Sequence, residues 1–245
     1  MSGRGVERIL DLIEWFASFP GTATLSEVAA ALGMPKSSAL QMLRTMTERG
    51  YLQRDAKGDY LLVRLPGDVT GAAGYNGALL ALAAPLIAKA VEDVLESGFL
   101  AVMEGRDIRY LNKILPDREI RYDRDMTKSR PAHKVASGIV ILAASSPEVV
   151  DAYAEELPAE EREAMEAMIE RARRDGFFFN AQGVVEGAAG VAAPILDASG
   201  RVVGAVNISG PRERMAAAAD QVCKAAKDTA RAITEVIARR AVRRV

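Results

Sequence analysis

Residues 24–50, TLSEVAAALGMPKSSALQMLRTMTERG, decide how the start of the chain folds. Thr24 and Glu27 stand at the spacing of a capping box. There the hydroxyl accepts a hydrogen bond from the third helical N–H and the carboxylate reaches back to the cap's own N–H. A helix therefore starts at Leu25 and runs to about Leu32, where Gly33 supplies the left-handed residue that ends it. Pro35 falls where a first helical turn tolerates proline. A third helix follows through Glu48 or Arg49 and stops at Gly50. Helix, a short turn at Gly33-Met34, then helix is the spacing of a helix-turn-helix.

Upstream, Val6, Ile9, Leu10, Leu12, Ile13, Trp15, Phe16 and Phe19 recur mainly three and four residues apart, an amphipathic helix broken by Pro20-Gly21. Downstream, Tyr51–Arg54 and Tyr60–Val63 read as two short strands around Asp55-Ala56-Lys57-Gly58-Asp59, the wing of a winged helix. On the third helix Ala39, Met42, Leu43 and Met46 share one face and point to the core. Lys36, Ser37, Ser38, Gln41, Arg44 and Thr45 take the other. Gln41 suits an adenine edge and Arg44 a guanine, each through two hydrogen bonds. Ser37 and Ser38 suit a phosphate at the helix start, and Lys36 adds charge without base selectivity. Arg54 and Lys57 in the wing suit phosphates or a minor groove. A polar helix face alone reads equally well as solvated surface; the order of elements around it is what points to double-stranded DNA.

The chain has 245 residues, 49% hydrophobic and 27% charged, enough to bury a core in one large domain or two smaller ones. Its net charge of −1 does not advertise a nucleic-acid binder, but the distribution is uneven. Residues 34–65 carry six Lys/Arg against three acids, whereas residues 1–33 carry two against four. No apolar run has the length of a membrane span, and the N-terminus lacks the basic-then-apolar pattern of a secretory signal. The single cysteine, Cys223, excludes an internal disulfide and points to a reducing, cytoplasmic setting.

Residues 66–77, PGDVTGAAGYNG, read as a linker, followed by a helix from Ala78 to about Glu96. Strands are expected at Phe99–Glu104 and Ile108–Ile114, and a second hairpin at Val191–Leu196 and Val202–Ile208. Helices are expected over 136–174, interrupted at Pro147 and Pro158, and over 212–242. Strand pairs mixed with helices make an α+β protein with an antiparallel sheet and flanking helices. The expected division is a winged helix-turn-helix domain over 1–65, a linker and connecting helix over 66–96, and a ligand domain over 97–245.

VERILDLIEWFASFPGTATLSEVAAALGMPKSSALQMLRTMTERGYLQRD at 6–55 resembles the DNA-binding domain of the IclR family of bacterial regulators. RRDGFFFNAQGVVEGAAGVAAPILDASGRVVGAVNISGP at 173–211 resembles the same family's effector domain. The resemblance implies a GAF-like effector domain, homodimers or homotetramers, and control of genes for catabolism of small organic or aromatic acids. Carried over position by position, it implies a pocket lined by Met103, Ala136, Ser137, Asn180, Gly190, Asn207 and Ser209. Several of these depart from the family pattern. Gly190 stands where the family has cysteine, Asn180 where it has an acid, and Asn207 where it has the first of two serines. Gln41 replaces the family's usual arginine, and the wing lacks one arginine of the usual pattern. This residue set holds neutral hydrogen-bonding groups and no carboxylate. It is expected to take an anion without a counter-charge, and Gly190 to leave room for more than a two- or three-carbon acid.

No catalytic constellation surrounds His133, the only histidine, and one histidine with one cysteine cannot build a protein-only metal site. Cofactor motifs are absent: the glycine-rich run at 183–190 has no lysine of the kind a phosphate loop uses. No enzyme and no cofactor are therefore expected. The arginines at 239–240 and 243–244 read as a solvated helix end. Two further readings stay open: a winged helix that contacts a protein partner, and a ligand-binding protein with no role on DNA.

Overall fold

The computed structural model describes residues 3–19, 21–48, 51–55, 57–62 and 73–242. Pro20, Arg49, Gly50, Val63, most of the expected linker, and Arg243 and Arg244 lie outside them. Backbone contacts divide the chain into two units, residues 1–82 with 239–245, and residues 83–238.

In the first unit α1 spans Gly3–Ser18, α2 Leu25–Ala31 and α3 Lys36–Glu48. The hairpin β1 (Leu52–Arg54) and β2 (Tyr60–Leu62) pairs antiparallel with Arg54 opposite Tyr60. The capping box forms with both bonds: the Thr24 amide donates to Glu27 Oε2 at 2.7 Å, and the Glu27 amide to Thr24 Oγ1 at 3.2 Å. Those bonds hold the Glu27 carboxyl below its ordinary range. Gly33 has φ +56°, the conformation that lets the chain leave α2 and enter α3 within a few residues. Leu12, Phe16, Val28, Ala39, Leu43 and Met46 close one core with Leu52, Tyr60 and Leu62 of the wing. Ile9 and Leu10, which share the apolar pattern of α1, are instead exposed.

Helix α4 spans Ala73–Val94, so residues 73–77 are helical where the glycines predict linker. A glycine costs a helix only about 1 kcal/mol relative to alanine, and elongation from the long apolar stretch after Gly77 carries through it. Pro85 sits inside this helix. The helix stops at Leu95, a non-glycine residue with φ +56°.

The second unit is built on β3 (Ser97–Glu104), β4 (Asp107–Tyr110), β5 (Arg130–Pro131), β6 (Phe178–Asn180), β7 (Ala188–Leu196) and β8 (Val202–Pro211). They form one antiparallel sheet in the order β5-β4-β3-β8-β7-β6. Strand β4 ends earlier than its alternation predicts, because Asn112 Oδ1 accepts the Leu100 N–H at 2.6 Å and takes over from the backbone ladder. One face carries α5 (Ala136–Ala143), α6 (Pro147–Glu155) and α7 (Ala159–Asp175) over a core that includes Phe99, Ile108, Ile139, Leu142, Met165 and Ala192. Gly138 lets α5 start against a 3-10 turn at Ala132–Lys134; a Cβ there would lie 2.1 Å from the Ala132 carbonyl. Towards the other face Gly98 of β3 meets Ile87 and Val91 of α4. The final helical stretch splits into α8 (Arg212–Ala217) and α9 (Ala219–Val242), and Thr234 of α9 accepts the Leu196 amide of β7. Cys223 is buried in α9, and burial pushes its thiol up to about 11.

Candidate functional sites

Residues on the core side of α3 are buried, and that fixes what its other side offers. Lys36, Ser37, Gln41, Arg44 and Thr45 are exposed and Ser38 is half-buried. The Thr45 hydroxyl donates to the Gln41 carbonyl at 3.0 Å, which leaves Gln41's amide and Arg44's guanidinium as the long polar groups of the face. No acid among the described residues pairs with Lys36, Arg44 or Lys57. In the wing, Asp55 Oδ1 accepts the Lys57 and Asp59 amides, both at 2.9 Å, and so ties the turn. Arg54 behaves differently from the expectation. Its Nε donates to the Gly58 carbonyl at 2.9 Å and its guanidinium lies 5.5 Å from the Tyr60 ring centroid, so it braces the hairpin from within. Lys57 is the free cation at the tip among the described residues.

In the second unit a cavity of about 380 Å³, counted out to its open mouth, lies between the β7–β8 end of the sheet, the start of α5 and the segments 122–130 and 183–185. Of the seven positions that the resemblance carries over, Ala136, Asn180, Gly190, Asn207 and Ser209 line it. Ser137 does not. Its side chain is fully buried and its hydroxyl lies 2.7 Å from the Tyr110 hydroxyl. Met103 packs on the core between sheet and helices and is not among the lining residues. The neutral groups of the lining are largely satisfied by each other. Ser209 Oγ donates to Asn207 Oδ1 at 2.9 Å, Asn207 Nδ2 to the Val191 carbonyl at 3.2 Å, and Asn180 Oδ1 accepts the Gln182 amide at 3.2 Å. Gly190 is tightly packed rather than roomy, since a Cβ there would lie 2.8 Å from Ser209 Oγ; the expected extra room at this position is corrected.

The charge comes from residues outside the expected set. Arg124 and Arg130 both line the cavity, with Tyr110 and Tyr122. Arg124 is 9% exposed, and its guanidinium lies 3.8 Å from the Tyr110 ring centroid. Its Nε and Nη2, and Nε of Arg130, are buried without a hydrogen-bond acceptor. No Asp or Glu is among the lining residues. Burial pushes the Tyr110 phenol above its ordinary value, so it stays a neutral hydroxyl beside these cations. No side chain caps the first turn of α5, whose N-terminal Ala136 borders the same space. The expectation of a pocket without a counter-charge is therefore corrected: an anion entering it meets two guanidiniums. The only sequence signal is the run RYDRDMTKSR at 121–130, where three arginines and a lysine face two acids. Both acids are engaged elsewhere, Asp123 with Lys113 and Asp125 with Thr127 and Lys128.

His133 is a brace. Its Nδ1 lies 2.8 Å from the Tyr153 hydroxyl and its Nε2 2.9 Å from a Glu161 carboxylate oxygen, joining the 3-10 turn to α6 and α7. Among the described residues no group of His, Cys, Asp and Glu has the arrangement of a metal site, and no helix is long and apolar enough to cross a membrane.

Known proteins are similar to this chain in sequence and fold. The Pca regulon regulatory protein of Pseudomonas putida is 26% identical over 212 residues, covering 82% of this chain and 72% of that one. The glycerol operon regulatory protein of Streptomyces coelicolor is 26% identical over 249 residues, covering 94% and 95%. The crystal structure of an IclR homolog from Microbacterium hydrocarbonoxydans, complexed with 4-hydroxybenzoate, superposes with a TM-score of 0.59 at 24% identity, covering 95% of this chain and 98% of that one. The family description of the IclR helix-turn-helix domain matches residues 5–56, and that of the bacterial transcriptional regulator IclR C-terminal domain matches residues 76–235. With its helix-turn-helix and its antiparallel-sheet domain both accounted for in this way, the chain belongs to the IclR family of bacterial transcriptional regulators.

Proposed function

We propose that this regulator binds double-stranded operator DNA through α3 and the wing, and that a small organic or aromatic acid in the cavity sets how tightly. The observation that carries the second half is the pair of unpaired guanidiniums, Arg124 and Arg130, in a lining without an acid. A buried charge is costly until it is paired, so the cavity favours an anionic occupant. The complex of the Microbacterium homolog with 4-hydroxybenzoate supports the same class of effector here.

The assembly in this reading is a cytoplasmic homodimer or homotetramer. Two copies of α3 enter successive major grooves of a pseudo-palindromic site, with Gln41 and Arg44 on base edges, Lys36, Ser37, Ser38, Thr45 and Lys57 nearer the backbone, and Arg54 holding the wing in shape. The domains divide at about residues 65 and 96, and α4 carries the coupling between them. The acid changes DNA affinity only by binding one arrangement of the assembly better than another.

Selection of fragmented genomic DNA by the purified protein, at moderate salt and with or without candidate acids, tests this. Enrichment of a few intergenic inverted repeats, changed by one of the acids, is the expected result. A folded oligomer that enriches nothing under either condition would move the winged helix to a protein partner.

A further inference from the structure

Resting on the reading of the cavity as an acid site, we propose that its ligand is a dicarboxylate rather than a monocarboxylate. The two guanidiniums present separate sets of unused donors. On Arg124 the buried N–H groups without acceptors are Nε and Nη2, which lie along one edge of the guanidinium. That edge matches the two oxygens of a single carboxylate. The Tyr110 ring covers the guanidinium's face, so the edge is what remains for a ligand. On Arg130 a further buried Nε–H has no acceptor, and it starts from a different element, the short strand β5.

Among the described residues nothing supplies the missing negative charge. The lining holds no acid, and Asp123 and Asp125, which flank Arg124 in sequence, are bonded to Lys113, Thr127 and Lys128. One carboxylate meets one guanidinium and leaves the other, half-buried in the case of Arg130, with an orphan buried N–H. Two carboxylates on one molecule satisfy both. Tyr110 and Tyr122 supply the aromatic wall of the cavity.

The test is calorimetric titration of the full-length protein in a zwitterionic buffer with matched pairs. Benzoate is set against the three benzenedicarboxylates, butyrate against succinate and hexanoate against adipate, with inorganic phosphate as a separate probe. In the expected result the best diacid binds about tenfold or more tighter than its monoacid, the gain of at least one charge-assisted hydrogen bond. Arg130→Gln then brings that ratio down to about two or less, while Arg130→Lys, which keeps charge but not the planar donor edge, falls between. Monoacids as tight as their diacids overturn the dicarboxylate and leave the acid reading standing; so does a ratio unmoved by Arg130→Gln. Phosphate as tight as the best diacid overturns the carboxylate assignment in favour of charge alone. No binding by any acid at millimolar concentration overturns this proposal and the acid reading together. The comparison on the unmodified protein needs no variant, so a variant that fails to fold does not remove the test.

Discussion

The outer face of α3 and the cavity under β7 and β8 both offer cations with no acid to pair with, yet one set is in water while the other includes a buried arginine. Arg44 and Lys36 are solvated, so leaving them unpaired costs little, and phosphates attract them in a way that salt screens. Arg124 is 9% exposed with two N–H groups lacking acceptors, so the ligand-free protein carries a desolvation cost that an anion relieves. A third arginine sharpens the contrast. Arg214 donates to both oxygens of buried Glu96 at 2.7 and 2.9 Å and to the Ile120 carbonyl at 3.0 Å, a cation completed by the fold itself. Among these partly or fully buried arginines, the missing partner separates a proposed ligand group from a structural one.

Four measurements press on this contrast. The largest effect is expected on the solvated side. Replacing Gln41 and Arg44 together with alanine is expected to remove the two proposed bidentate base contacts, about 1–3 kcal/mol of discrimination each, so that operator and random DNA bind nearly alike. Fluorescence anisotropy on both duplexes reads this, and unchanged selectivity would remove the face assignment. Second, Arg124→Met is expected to weaken acid binding by about 2–5 kcal/mol while leaving the ligand-free melting temperature unchanged or higher. A lower melting temperature with undiminished acid affinity would place Arg124 with Arg214 as a structural residue. Third, Gly190→Ala places a Cβ against Ser209 Oγ, 2.8 Å away before adjustment, and displaces that hydroxyl from Asn207. Acid affinity should drop about threefold to tenfold by titration, roughly 1 kcal/mol. An affinity that stays or rises would show that the Ser209–Asn207 pair is not part of the acid's site.

The smallest effect concerns His133. Burial lowers its pKa from the ordinary 6.5, aided by Lys134 and Arg106 and opposed by Glu161. Its neutral form is thus favoured in the folded state, and the unfolded chain binds the proton first as pH falls. The stability it contributes is present above pH 6.5 and is lost as pH drops from there towards the lower folded value. Thermal melts between about pH 7.5 and pH 5.5 should show a loss that His133→Gln reduces. A steeper loss in that variant would mean the Glu161 contact dominates and the charged form is the favoured one.

The winged helix was legible because its signals are local. A capping box, a left-handed glycine and an i, i+3, i+4, i+7 apolar face each act within a few residues, and Thr24, Gly33 and Leu43 sit where those rules put them. Element types in the second unit were legible for the same reason, while ends that depend on tertiary contacts were not. Asn112 shortens β4 by reaching across to Leu100, which no periodicity in 108–114 records. The neutral part of the cavity followed from resemblance. Its cations did not, because a run such as RYDRDMTKSR reads as solvated loop until Tyr110 is known to lie beneath Arg124. Ser137 was misplaced by the mirror of that error: a small polar residue one position from a lining alanine turns inward on a helix and bonds Tyr110 instead.

The lone cysteine has a practical consequence. With its thiol pushed up to about 11, Cys223 is ionised in only about one molecule in ten thousand at neutral pH, and burial in α9 shields the rest from reagents. The native chain is thus close to silent towards maleimides. A single cysteine introduced at exposed Lys57 would take one fluorophore at the tip of the wing, with no need to strip the background first.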